Sequence, residues 1–130
     1  MDLKLKTFRI GSRPVRSAGI RLGVVRYLPR GVRKEDYKKL GLFDLWFPAL
    51  APSRKLLSKR DKNLFARYRS EILNDSESRQ TLLFLAEVAK KTPISIGCYC
   101  EDESRCHRSV LGSLLRAAGS GKLPEKHGAH

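Results

Sequence analysis

The stretch Ile94 to Cys100, ISIGCYC, constrains this chain more than any other: it is short, apolar and rich in β-formers, with amphipathic sequence on both sides. A continuous apolar run of this length reads as a strand buried on both faces, the habit of parallel sheets covered by other layers. Upstream, residues 77 to 91 set Leu82, Leu83, Leu85, Ala86 and Ala89 on a broad apolar face. That segment ends in Lys90 and Lys91, where a helix dipole favours cations, and stops at Thr92-Pro93. Downstream, residues 106 to 118 carry Val110, Leu111, Leu114 and Leu115 on one side and end at Gly119. Helix, buried strand and helix in succession predict an α/β layer fold.

The rest of the chain supplies further elements. Leu3, Leu5, Phe8 and Ile10 roughly alternate with polar residues, as in an edge strand, and Gly11-Ser12-Arg13-Pro14 ends the run. Residues 20 to 28, IRLGVVRYL, predict a second strand that Pro29-Arg30-Gly31 turns away. Residues 33 to 41 predict a short helix closed by Gly41, and the segment with Phe43, Trp46, Phe47 and Leu50 predicts helical turns and packed loop. Asp61 as a cap before Leu64, Phe65, Tyr68 and Ile72 predicts an amphipathic helix over 62 to 73. The connections are long enough for crossovers. The expected fold is one compact α/β domain over residues 1 to 119, with layered helices around a small, at least partly parallel sheet, and a flexible C-terminal tail over 120 to 130.

Composition narrows the function classes. With 130 residues, 41% of them hydrophobic, the chain can bury one core and not two. No stretch nears the roughly 18 consecutive apolar residues of a membrane span, and the start lacks the apolar region of a signal peptide, so a cytoplasmic protein without a membrane partner is expected. Three cysteines in such a chain predict reduced thiols rather than a disulfide framework. The formal charge of +14 is lopsided: residues 1 to 40 hold twelve Lys or Arg against three acids, whereas residues 71 to 130 balance at eight each. A field of that sign suits phosphates, on nucleic acid or on a small molecule, and equally suits a solvated surface.

All three cysteines fall in CYCEDESRCHRSVL, residues 98 to 111. Cys98, Cys100, Cys106 and His107 could in principle hold zinc, but structural sites usually pair their ligands in C-x2-C knuckles, and this spacing diverges. No cofactor and no metal are therefore predicted, zinc being the weaker alternative. The thiolate phosphatase pattern of Cys, five residues and Arg fails too, because counting from Cys100 reaches Cys106 and counting from Cys98 reaches Ser104. Anion binding survives better. A helix beginning near Cys106 aims its first N–H groups into the loop, with His107 and Arg108 in the first turn and Ser109 adding a hydroxyl. Glu101, Asp102 and Glu103 could satisfy that helix end instead. The same placement lowers the pKa of Cys106, which makes Cys106 and His107 the candidate catalytic pair. Cys98 suits a buried core position, and Cys100 lies between the two cases.

In the other loop, Arg26 and Arg30 flank Tyr27-Leu28-Pro29. An arginine in apolar strand sequence costs desolvation unless something meets it, so Arg26 is the more telling. If both strands run parallel, this loop and the cysteine loop share the edge where α/β sheets bind ligands. Trp46, Tyr68 and Phe65 read as core.

RYLPRG, ALAPS at 49 to 53, FARYRSEI at 65 to 72 and CYCEDESRCHRSVL resemble, in order, the motif series of the YeaO-like family, a domain of unknown function known as DUF488. The resemblance implies a compact α/β domain without an established activity. It sets Arg26, Pro29, Arg30, Gly31, Pro52, Ser53, Tyr68, Cys98, Cys106, His107 and Arg108 at motif positions. It also implies an Asp and a Trp at positions held here by Val25 and Leu28. The expected function is binding of a phosphate-bearing or other anionic small molecule, such as a nucleotide, through Arg26, Arg30, Cys98, Cys100, His107, Arg108 and Ser109, with cysteine chemistry at Cys106. The alternatives are a non-catalytic nucleic-acid-binding module on the basic N-terminal half and a metal or thiol redox site.

Overall fold

A computed structural model describes residues 3 to 59, 63 to 99 and 107 to 124. Among these residues, four strands, β1 (Leu5–Arg9), β2 (Ile20–Gly23), β3 (Leu45–Trp46) and β4 (Ile94–Cys98), form one sheet in the order β1-β4-β2-β3. Every pairing is parallel. Among the described residues, four α-helices accompany them: α1 (Arg54–Lys59), α2 (Leu64–Asn74), α3 (Ser76–Lys91) and α4 (His107–Gly119). The chain is thus an α/β domain. No helix among the described residues is long and apolar enough to cross a membrane.

β4 lies between β1 and β2, and all five of its residues are buried. Alternation along the strands splits the sheet into two faces. Leu5, Leu22, Ile94 and Ile96 join a core with Leu56, Tyr68, Ile72, Leu82, Leu85, Leu111 and Leu115, so all four helices contribute to one side. The other face is covered by loops: Ile10, Val25, Tyr37 and Phe43 form a second cluster there with Cys98, and Phe8 and Leu42 pack against it. Loops can lie flat on that face because the sheet gives up side chains beneath them. A Cβ on Gly97 would meet three ring atoms of Phe8 at 2.3 to 2.6 Å, and one on Gly23 would sit 2.7 Å from the Phe43 ring.

Several elements depart from the sequence expectations. The second strand stops at Gly23 rather than running to residue 28, because Val25 O is taken by Trp46 Nε1 at 2.7 Å and the chain turns there. Trp46 belongs to a two-residue parallel strand, too short to show a periodicity, and it is exposed rather than core. Residues 33 to 41 form a single 3-10 turn at Lys34–Asp36 followed by further turns, not a helix. α1 was not visible in the pattern; Ser53 Oγ accepts from Leu56 N–H at 3.1 Å in its first turn. α2 begins at Leu64, and the predicted cap Asp61 lies outside the described residues. The polar break before α3 contains that helix's cap: Asp75 accepts from Ser78 N–H at 3.0 Å and from its hydroxyl at 2.7 Å. Those two bonds hold the Asp75 carboxyl below its ordinary pKa.

Past α4 the chain stays tied to the body. Arg79 Nη1 donates to Pro124 O at 2.7 Å and Leu123 packs on the core, while the tail predicted over 120 to 130 lies outside the described residues from position 125 onward.

Substituting Gly97→Ala should lower unfolding free energy by about 1 to 3 kcal/mol, the usual cost of overpacking a close contact. Phe8→Ala in the same chain should return part of that loss by vacating the space. Urea denaturation of the single and double variants measures both effects.

Candidate functional site

Parallel pairing brings the C-terminal ends of β2 and β4 to one rim of the sheet. Val24 follows β2 there and His107 opens α4, and His107 Nε2 lies 2.8 Å from Val24 O. A carbonyl only accepts, so this nitrogen carries the proton in the neutral ring. Burial pushes the His107 imidazole below its usual pKa; the bond to Val24 O opposes that, and the charge of Arg108 adds to it. The edge of the ring meets Tyr68 with centroids 5.3 Å apart. Tyr68 is fully buried, its hydroxyl donates to Leu50 O at 2.6 Å, and burial, followed by the nearby Glu71, raises its pKa far above the ordinary value.

Arg26 stands two residues beyond Val24. Its Nε donates to Pro52 O at 3.0 Å, and its Nη2 donates to Pro48 O at 3.1 Å and Ala51 O at 3.2 Å. The guanidinium therefore pins the loop over residues 48 to 52 against the rim. Glu71 pins the next residue: its carboxylate accepts from the Ser53 N–H at 3.1 Å and from the Ser53 hydroxyl. The motif residues Arg26, Pro52, Ser53 and Tyr68 are thus one connected arrangement around the loop between β3 and α1.

Between the two corners lies a cavity of about 300 Å³, lined chiefly by Arg26, Tyr27, Pro52, Cys98, Tyr99 and His107. Tyr27 and Tyr99 form an exposed lip, joined by the Tyr99 hydroxyl donating to Tyr27 O at 2.9 Å. The Arg54 guanidinium sits 5.9 Å from the centre of the Tyr27 ring. Both tyrosines fall inside the strand runs expected from sequence, 20 to 28 and 94 to 100, but β2 and β4 end at Gly23 and Cys98, which leaves Tyr27 and Tyr99 beyond the strands, where the rim begins.

Of the residues expected to bind a ligand, Arg26, Cys98 and His107 come together here. Arg30 is exposed and Ser109 half-buried, and neither lines this cavity. Arg108 is buried and turns toward the edge strand, with Nη1 donating to Phe8 O at 2.9 Å and lying 3.6 Å from Cys98 Sγ. Cys100 and Cys106 lie outside the described residues. The reduced thiols expected from the cysteine count are not found at Cys98, which is disulfide-bonded; its partner also lies outside the described residues. Among the described residues, no three His, Cys, Asp or Glu side chains converge as a metal site.

Comparison with known proteins agrees with the motif series. The family model described as the active DUF488-N3 subclade matches residues 5–119. The uncharacterized protein YeaO of Escherichia coli (strain K12) is 29% identical over 104 residues, which cover 78% of this chain and 87% of that protein. No solved structure matches the chain.

The depressed pKa of His107 makes a signed prediction. The folded imidazole protonates at lower pH than the unfolded one, so below about pH 6.5 the unfolded chain binds more protons. Stability contributed by the neutral ring is complete above that pH and is lost as pH falls below it. His107→Gln, which keeps an N–H for Val24 O but cannot titrate, should lose less stability than the unmodified chain between pH 7.5 and 5. Urea denaturation across that range measures it, and identical pH slopes would count against the assignment.

Proposed function

The chain belongs to the DUF488 family, in its active N3 subclade, and from that premise and the geometry of the rim we propose that it binds a small molecule bearing a phosphate or other anionic group between Arg26 and His107. The observation that carries this reading is the charge of Arg26. Its Nε and Nη2 donate to the neutral carbonyls of Pro48, Ala51 and Pro52. Hydrogen bonds of that kind fix the guanidinium without cancelling its charge, and an arginine cannot escape by losing a proton.

The surroundings favour the same ligand class. No acidic side chain lines the cavity among the described residues. The positive end of α4, which begins at His107, adds to the field. The walls supplied by Tyr27, Pro52 and Tyr99 are largely apolar, which suits the organic body of a nucleotide or phosphate ester. About 300 Å³ is at the small end of the range for organic ligands, so a compact molecule is expected. His107, neutral at pH 7, would act as an orienting and hydrogen-bonding wall.

A panel of nucleoside monophosphates and sugar phosphates, read by thermal shift at constant ionic strength, tests the reading. At least one should stabilise the chain. Arg26→Gln, which retains an amide donor for the loop carbonyls but no charge, should weaken that ligand roughly ten- to a hundredfold, the worth of a charged hydrogen bond. No response from any phosphate ester, or affinity indifferent to Arg26→Gln, would reject it. Oligonucleotide binding that falls steeply with salt and depends on Arg16 instead would move the function to the basic N-terminal half.

A further inference from the structure

The loop-covered face of the sheet holds a second cavity, separate from the rim. Register sets Lys6 and Arg21 on either side of Ser95, one on each strand neighbouring β4. Their side chains, with Phe8, Ser12 and Arg13, line a pocket of about 180 Å³. That is too small for most organic ligands, whose pockets start near roughly 300 Å³, and adequate for a tetrahedral oxyanion with a few waters.

Arg21 is the unusual member. Only 6% of it is exposed, its Nη1 donates to Gly41 O at 2.8 Å, and its Nη2 is buried without a hydrogen-bond partner. Its guanidinium lies 4.3 Å over the Phe8 ring, which attracts the cation but takes up no in-plane N–H. Burial lowers the Arg21 pKa, with the charge of Asp44 acting in the opposite direction. The Asp44 carboxylate, however, accepts from the Arg21 main-chain N–H at 2.9 Å and forms no ion pair with the guanidinium. Lys6 hydrogen-bonds the Ser17 hydroxyl, which leaves further ammonium protons. Ser12 and Ser95 hydroxyls are already donating, to Arg9 O at 2.6 Å and Ala18 O at 2.7 Å. Among the described residues no carboxylate pairs with Lys6, Arg13 or Arg21. Three cations thus share one small cavity, and the most buried of them, Arg21, keeps its Nη2 without an acceptor.

We propose that this cavity binds a phosphate oxyanion, held by Lys6, Arg13 and the Arg21 guanidinium. The rim reading is independent of it, since the two sites share no residue.

The test is a thermal-shift titration of the full chain with inorganic phosphate and, in parallel, with chloride at matched ionic strength, because a chain of charge +14 is stabilised by screening alone. Phosphate should raise the melting temperature saturably beyond chloride. Lys6→Ala and Arg13→Ala alter exposed side chains, so both variants should fold, and each should weaken the phosphate response at least tenfold. Arg26→Gln should leave it unchanged. Glycerol phosphate serves as a third arm. A response equal to that of inorganic phosphate means that the site accepts the group on a carrier, and a response to the inorganic ion alone means that it accepts the free ion; both uphold the site. Phosphate indistinguishable from chloride, or a shift that survives Lys6→Ala and Arg13→Ala, overturns it. A shift abolished only by Arg26→Gln also overturns it and assigns the phosphate to the rim.

Discussion

Everything in this molecule is arranged about a strand with no free side. β4 pairs in parallel with β1 and with β2, and none of its five residues reaches solvent. Because both neighbours run the same way, the chain must cross over between them, and the crossover from β3 to β4 carries α1, α2 and α3 to one face, where α4 joins them after β4. Parallel pairing also sends the continuation of every strand out through the same rim. The corner carrying His107 and the corner carrying Arg26 are therefore neighbours for a topological reason, although 81 positions separate them in sequence.

Once the corners are adjacent, long polar side chains lock them. Arg26, Trp46, Tyr68, His107 and Arg108 all end on main-chain carbonyls, of residues 48 to 52, Val25, Leu50, Val24 and Phe8 respectively. Irregular backbone near a buried sheet end has carbonyls that no ladder satisfies, and each would be costly if left bare. Side-chain donors solve that problem and stiffen the loops. The solution has an electrical consequence. Tyr68 and Trp46 bring no charge, whereas Arg26 and Arg108 retain theirs, so the same contacts that order the loops also fix two cations at the sheet end.

The helices and the buried strand were legible because they are governed by periodicity. Residues 76 to 91 and 107 to 119 repeat an apolar face often enough to declare themselves, and ISIGC has nowhere to go but the interior. β3 and α1 are two and six residues long and never complete a pattern; their partners, Leu22 and Gly23 for β3, are set by tertiary pairing. The same limit explains the candidate site. The sequence could show that Arg26 and His107 needed partners, and topology rules could bring them to one edge. It could not show that Arg108, the next residue in the same helix turn, faces the other way toward Phe8, because one step along a helix rotates a side chain by about 100°.

The criterion that singled out Arg26, a cation within apolar strand sequence, applies with more force to Arg21, which lies inside β2 proper and is 6% exposed, whereas Arg26 lies beyond the strand and is half-buried. Both occupy one continuous segment, and each gives part of its guanidinium to carbonyls. Arg26 finds three such acceptors and Arg21 one. What separates them is the cover: a turning loop offers several bare carbonyls, but the flat face above β2 offers an aromatic ring and the single carbonyl of Gly41. The cation on the flat face consequently keeps a buried nitrogen, Nη2, without an acceptor, and at that position the basic N-terminal half is not a solvated surface.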